Sequence, residues 1–199
     1  MNKKDGKKNT LYTGRGDSGT TTLFHCDQGR ISKSANIIET LGTLDELNAY
    51  LGIVKVQSSI DNLNLKINKK SISYTNMIED LQQKLFIIQA EVAGSDISIT
   101  KNNLKEIELI IQKISEILPP IKSFTLSGGS LLSSELDYSR TLARRAERNI
   151  VKVQEEGFKN LNSVTISYMN RLSSILFAMS RYANYILSIS ETHPMYDKE

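Results

Sequence analysis

The chain has no tryptophan, one cysteine, two histidines and three prolines among its 199 residues. A single thiol, Cys26, excludes an internal disulfide and fits a reducing compartment. With His193 the only other histidine, the His25-Cys26 pair makes a poor zinc site and reads as ordinary loop or strand residues. Few prolines leave long stretches without a helix breaker. No apolar run approaches the roughly 18 residues of a membrane-spanning helix, so none is expected. The net charge of +3 is too small to argue for nucleic acid. Part of it is concentrated in Lys3, Lys4, Lys7 and Lys8, and residues 1–9 are expected to be a disordered basic start, with a phosphate-touching arm as the alternative. No apolar stretch follows these lysines, so neither a secretory signal nor a transit peptide is expected.

What is present is ordinary globular composition, 39% hydrophobic and 24% charged, in a length that suits one domain with a sizeable core. The apolar periodicity predicts five helices, near residues 34–58, 74–95, 103–118, 131–156 and 163–190. Met77, Ile78, Leu81, Leu85, Ile88 and Val92 make the clearest stripe. Pro119-Pro120 should stop the third helix, and Gly157 offers a cap for the fourth. Residues 59–73 are polar and read as a loop. No alternation supports a substantial sheet, so the expected fold is all-α, a five-helix up-and-down bundle spanning residues 10–190 with a tail at 191–199.

Four segments carry candidate chemistry. The first is the glycine- and threonine-rich stretch from Leu11 to Thr22, whose backbone N–H groups and hydroxyls would suit a polyphosphate, with Arg15 adding charge and Asp17 a carboxylate for a donor or Mg²⁺. It lacks the Walker A pattern, and a plain loop remains open. The second is Arg140, Arg144 and Arg148 at four-residue spacing, which places three guanidiniums on one helix face. Such a row can clamp phosphates and stabilise a departing polyanion, or it can be a solvated face with weak ion pairs. The third is Asp45 and Asn48, read as sharing a face that pairs with arginines or meets solvent. The fourth is Asn170-Arg171, polar within an otherwise core-like stretch.

In order along the chain, these segments resemble the PduO-type ATP:cob(I)alamin adenosyltransferases. The resemblance rests on Tyr12-Thr13-Gly14-Arg15-Gly16-Asp17-Ser18-Gly19-Thr20-Thr21, Gly42-Thr43-Leu44-Asp45-Glu46-Leu47-Asn48 and Phe124-Thr125-Leu126-Ser127-Gly128-Gly129. It continues through Arg140 to Arg144-Arg145-Ala146-Glu147-Arg148, then Asn170-Arg171-Leu172-Ser173 and Arg181-Tyr182-Ala183-Asn184. Each motif is modest alone; together they cover residues 11 to 185.

The resemblance implies a ferritin-like five-helix bundle, a cytoplasmic homotrimer with active sites between subunits, and transfer of the adenosyl group of ATP, with Mg²⁺, to cob(I)alamin. Thr13, Gly14, Arg15, Gly16, Asp17, Thr21, Thr22 and Lys33 would meet the nucleotide from one subunit; Arg144, Arg145, Glu147, Arg148 and Asn170 would meet it from the next. Arg140 would pair with Asp45 across the interface, and Phe124 would lie under the corrin. A reductase or an adenosylcobalamin-dependent enzyme would be a partner. Two positions depart from the family pattern: Gly14 stands where many relatives carry Lys or Arg, and Ser127 where many carry Pro. A carrier or sensor that binds without turnover, and a purely structural trimer, are the competing readings.

Overall fold

The computed structural model describes residues 11–23, 29–67 and 70–196. The basic start at 1–9, the His25-Cys26 pair and the last three tail residues lie outside these. Five helices dominate: α1 (Asn36–Asp61), α2 (Tyr74–Val92), α3 (Lys101–Ile117), α4 (Leu131–Glu155) and α5 (Ser163–Ile186). Two short antiparallel pairs accompany them, β1 (Thr20–Thr21) with β2 (Ile31–Ser32), and β3 (Asn64–Ile67) with β4 (Lys70–Ser73).

Local chemistry sets most helix ends. Ser73, Ser130 and Asn162 each accept a first-turn N–H and so start α2, α4 and α5. Thr100 and Asn103 form a reciprocal capping box, which starts α3 two residues before the periodicity suggests. The third helix stops ahead of Pro119-Pro120 as expected.

Two expectations are corrected. Within the segment read as a loop, α1 runs on to Asp61, and β3 and β4 form an antiparallel strand pair. Its alternation is only four residues long, too short to stand out, but it sends Leu65 fully into the core. At the other end α5 stops at Ile186, not 190. Ser188 turns left-handed (φ 55°), and the Ile189 N–H reaches back 2.9 Å to the Asn184 carbonyl, closing the helix and reversing the chain.

The helices pack in the spatial order α2–α1–α4–α5–α3. Fully buried Leu44, Leu47, Leu51 and Val54 of α1 meet Leu136, Ala143 and Ala146 of α4 and Leu172, Leu176 and Met179 of α5 in one continuous core. Polar pins fix the alignment. Buried Glu91 at the end of α2 accepts the Asn162 N–H (2.7 Å) and the Thr165 hydroxyl (2.6 Å), tying down the start of α5. The Tyr74 hydroxyl, at the start of α2, donates to the Met179 carbonyl at 2.9 Å near the end of α5. At the start of α1, Asn36 bonds Glu156 and Lys152 from the end of α4.

Candidate functional site

The sequence-predicted residues gather on two surfaces. The first is the glycine loop. Two consecutive turns shape it, with Asp17 N–H donating to Gly14 and Gly19 N–H to Gly16. The Lys33 N–H donates to the Gly19 carbonyl (2.9 Å), and its side chain lies over Gly16, where a Cβ would come within 2.9 Å of Nζ. Only glycine leaves that ammonium its place. Thr13, Arg15, Asp17, Thr22 and Lys33 are exposed, so the loop presents two cations and several hydroxyls to solvent. Arg30 organises it: its guanidinium donates to the Arg15 carbonyl, the Thr20 carbonyl (2.7 Å) and the Thr20 hydroxyl (2.8 Å). Arg30 belongs to no motif above, and nothing in the sequence singles it out. Beside the loop a cleft of about 580 Å³ is lined by Thr21, Thr22, Gly42, Asp45 and Phe86.

The second surface is built by α4, α5 and the loop between α3 and α4. Arg140, Arg144 and Arg148 line one face of α4. Arg140 is held by Asp137 one turn earlier (3.0 Å) and Arg145 by Glu46 of α1, while Glu147 accepts from the Asn170 amide (2.9 Å). Among the described residues no carboxylate pairs with Arg144 or Arg148, although both are exposed. Two uncompensated guanidiniums in a row make an anion-facing surface. Arg144 stands where two clefts meet. One, of about 640 Å³, is lined by Phe124, Arg140, Arg144, Ser173, Ser174 and Phe177; the other, of about 310 Å³, by Arg144, Glu147, Arg148, Lys152 and Asn170. Phe124 itself is 81% exposed, an aromatic ring held out of the core over the larger cleft.

The loop that carries Phe124 is clamped at its glycines by Asn184. The Asn184 amide donates to the Gly128 carbonyl (2.9 Å) and its oxygen accepts the Ser130 N–H (3.1 Å). Gly128 and Gly129 adopt φ of 135° and 116°, and a Cβ on Gly129 would sit 2.7 Å from Asn184 Cγ. This explains the pairing of the glycine turn with a distant asparagine, a partnership that separation in sequence hides.

No described residue lines both the Asp45 cleft and either arginine cleft. Asp45 and Asn48 lie one turn apart on α1, but Asp45 is exposed and Asn48 is buried, so of the pair only Asp45 meets solvent. Among the described residues, no three His, Cys, Asp or Glu side chains converge as a metal cage.

A five-helix bundle with a glycine loop, exposed arginines and a projecting aromatic defines a helical protein with an anion-facing surface. More particularly, the family model "Cobalamin adenosyltransferase" matches residues 11–183, and the chain belongs to that family. It is 34% identical to the corrinoid adenosyltransferase PduO of Salmonella typhimurium, over 92% of this chain and 54% of that protein. It is 32% identical to a corrinoid adenosyltransferase of Bacillus subtilis, over 87% of this chain and 86% of that one. The chain thus spans about half the length of the Salmonella PduO relative. Among solved structures, a variant PduO-type ATP:corrinoid adenosyltransferase from Lactobacillus reuteri, complexed with cobalamin and ATP, superposes with a TM-score of 0.80 at 28% identity, covering 95% of this chain and 98% of that one.

Proposed function

We propose that this protein transfers the 5′-deoxyadenosyl group of ATP to the cobalt of cob(I)alamin, giving adenosylcobalamin and triphosphate. The cobalt lone pair attacks C5′, the C5′–O bond breaks, and triphosphate leaves with the bonding pair as Co(I) becomes Co(III). Cob(I)alamin is itself a strong nucleophile, so the protein needs no activated serine or cysteine. It must align two reactants and stabilise a departing polyanion.

The observation that carries this reading is Arg144, without a carboxylate partner among the described residues and at the junction of the smaller cleft and the cleft under Phe124. Triphosphate would lie along Arg144 and Arg148, with Arg145, Glu147 and Asn170 beside it. Cobalamin would take the larger cleft, with Phe124 against its lower face keeping the dimethylbenzimidazole base from cobalt. The glycine loop, through Thr13, Gly14, Arg15, Gly16, Asp17, Thr21, Thr22 and Lys33, would close over the nucleotide. Because loop and arginines occupy separate clefts of one chain, we assign them to facing subunits of a homotrimer, with Asp45 of one pairing Arg140 of the next in place of its Asp137 contact. Mg²⁺ would be held chiefly by ATP phosphates and Asp17, since that ion commonly takes one or two carboxylates and substrate oxygens. With one cysteine and no described helix long and apolar enough to cross a membrane, we place the protein in the cytoplasm, supplied with Co(I) by a reductase and delivering product to an adenosylcobalamin-dependent enzyme.

The test is anaerobic turnover of chemically reduced cob(I)alamin with Mg²⁺ and ATP, followed spectrophotometrically. ATP-dependent adenosylcobalamin that is lost in Arg144→Ala supports the assignment. ATP binding without product would instead make this a carrier or sensor and direct attention to Gly14 and Ser127. The absence of any ATP-dependent thermal shift would leave a structural trimer.

A further inference from the structure

The span from Pro119 to Gly129 has no helix or strand and ends in Ser127-Gly128-Gly129, residues that hold no shape by themselves. Its two ends are fastened by α5: Arg181 donates to the Pro119 carbonyl (3.2 Å) and Asn184 to the Gly128 carbonyl (2.9 Å). Between these points, every hydrogen bond among the described residues comes from the chain after α5. His193 Nδ1 lies 2.9 Å from the Phe124 carbonyl oxygen and 3.0 Å from Ser123 Oγ, and the Leu126 N–H donates to the Thr192 carbonyl at 2.8 Å. A carbonyl only accepts, so Nδ1 carries the proton and donates to Phe124.

The tail is itself anchored. Glu191 makes a two-pronged ion pair with Arg181, whose side chain is only 10% exposed. Arg181 therefore ties the start of the span and the tail to one point. Behind the loop, residues 125–129, α5 and residues 189–192 wall a cavity of about 250 Å³. Thr125 and Phe177 line that cavity and also the Phe124 cleft, so one thin wall separates the tail from the aromatic ring.

We infer that residues 191–193 form a strap that sets the position of Phe124, with His193 as its positioning residue. This rests on the reading that Phe124 faces the corrin. Residues 191–193 line neither of the two clefts to which Arg144 belongs. Its loss therefore weakens use of cobalamin and leaves ATP binding intact.

The experiment compares His193→Leu, which deletes the donor, with His193→Asn, whose Nδ2–H replaces Nδ1–H, in the full-length protein. The loss of one hydrogen bond near a reacting partner corresponds to about a fivefold effect. His193→Leu should change KM or kcat for cob(I)alamin by that factor with KM for ATP unchanged, and His193→Asn should restore it. In a Phe124→Ala background, His193→Leu should add nothing, because the strap acts through that ring. Equal effects in both backgrounds, or wild-type kinetics in His193→Leu, overturn the inference. Amide exchange of Leu126 reads the strap without turnover: it should quicken in His193→Leu and stay slow in His193→Asn. A wild-type protein with no activity but the same exchange pattern would sink the enzyme reading and leave the strap standing. Unchanged Leu126 exchange in His193→Leu would sink the strap whatever the activity.

Discussion

Substituting Gly129 by alanine separates two costs that the turn combines. The residue sits at φ 116°, where an L side chain is strained by about 1–3 kcal/mol. Its new Cβ would also stand 2.6 Å from Asn184 Nδ2 and 2.7 Å from Cγ, so the amide must leave. Leaving breaks its bonds to the Gly128 carbonyl and the Ser130 N–H, worth about 1 kcal/mol each. The total is about 3–5 kcal/mol, or roughly 10 °C in Tm for a domain of this size. Gly128→Ala is the control. Its φ is similarly positive at 135°, yet nothing lies within 4 Å of its Cβ, so it bears only the strain, roughly 5 °C. Thermal unfolding of both variants, and of Gly129→Ala combined with Asn184→Ala, gives the measurement. Removing the amide should bring the cost of Gly129→Ala down to that of Gly128→Ala. Equal melting of the two single variants would refute the clamp, whatever its effect on turnover.

Arg144→Ala should lower kcat/KM by about 100- to 1000-fold while Tm moves by less than about 1 °C, because the side chain is exposed and unpaired among the described residues; unchanged kcat/KM removes Arg144 from the site. Asp45→Asn should loosen the proposed trimer by about 1 kcal/mol at each of its equivalent contacts, seen as a roughly tenfold rise in the dissociation midpoint by sedimentation, with activity falling in parallel; wild-type kinetics and assembly would discard the pairing with Arg140. Glu135 has an oxygen buried without a partner among the described residues, and burial, reinforced by Asp61, raises its pKa. A raised folded pKa means that the protonated form contributes stability below the unfolded value near 4.5, lost as pH rises through the folded value. Glu135→Gln, neutral at every pH, should therefore melt higher than wild type at neutral pH and converge with it in acid; an equal difference across the range would contradict this.

Short-range information carried much of the architecture. Apolar residues three and four apart can be buried together only if the chain is helical, so five helices and their approximate extents follow from periodicity. The Thr100–Asn103 box and Pro119-Pro120 mark ends through contacts within a few residues. The order of the motifs likewise sufficed to indicate the family, because residue identity at many spaced positions is sequence information and needs no coordinates. What stayed hidden depended on distant parts of the chain meeting. Leu65 turns inward only because the end of the bundle is there to receive it. Asn48 is buried and Asp45 exposed because neighbouring helices cover one side of α1, which helical spacing does not reveal. Arg30 looks like any loop arginine until the fold brings the Arg15 and Thr20 carbonyls against it. Asn184 and His193 reach the Phe124 loop across 56 and 69 positions respectively. The sequence by itself determined which segments are helical and which family they compose; only the tertiary structure decided which arginines find a carboxylate among the described residues, which cleft each faces and what holds Phe124 in place, because those depend on distances between residues that are remote along the chain.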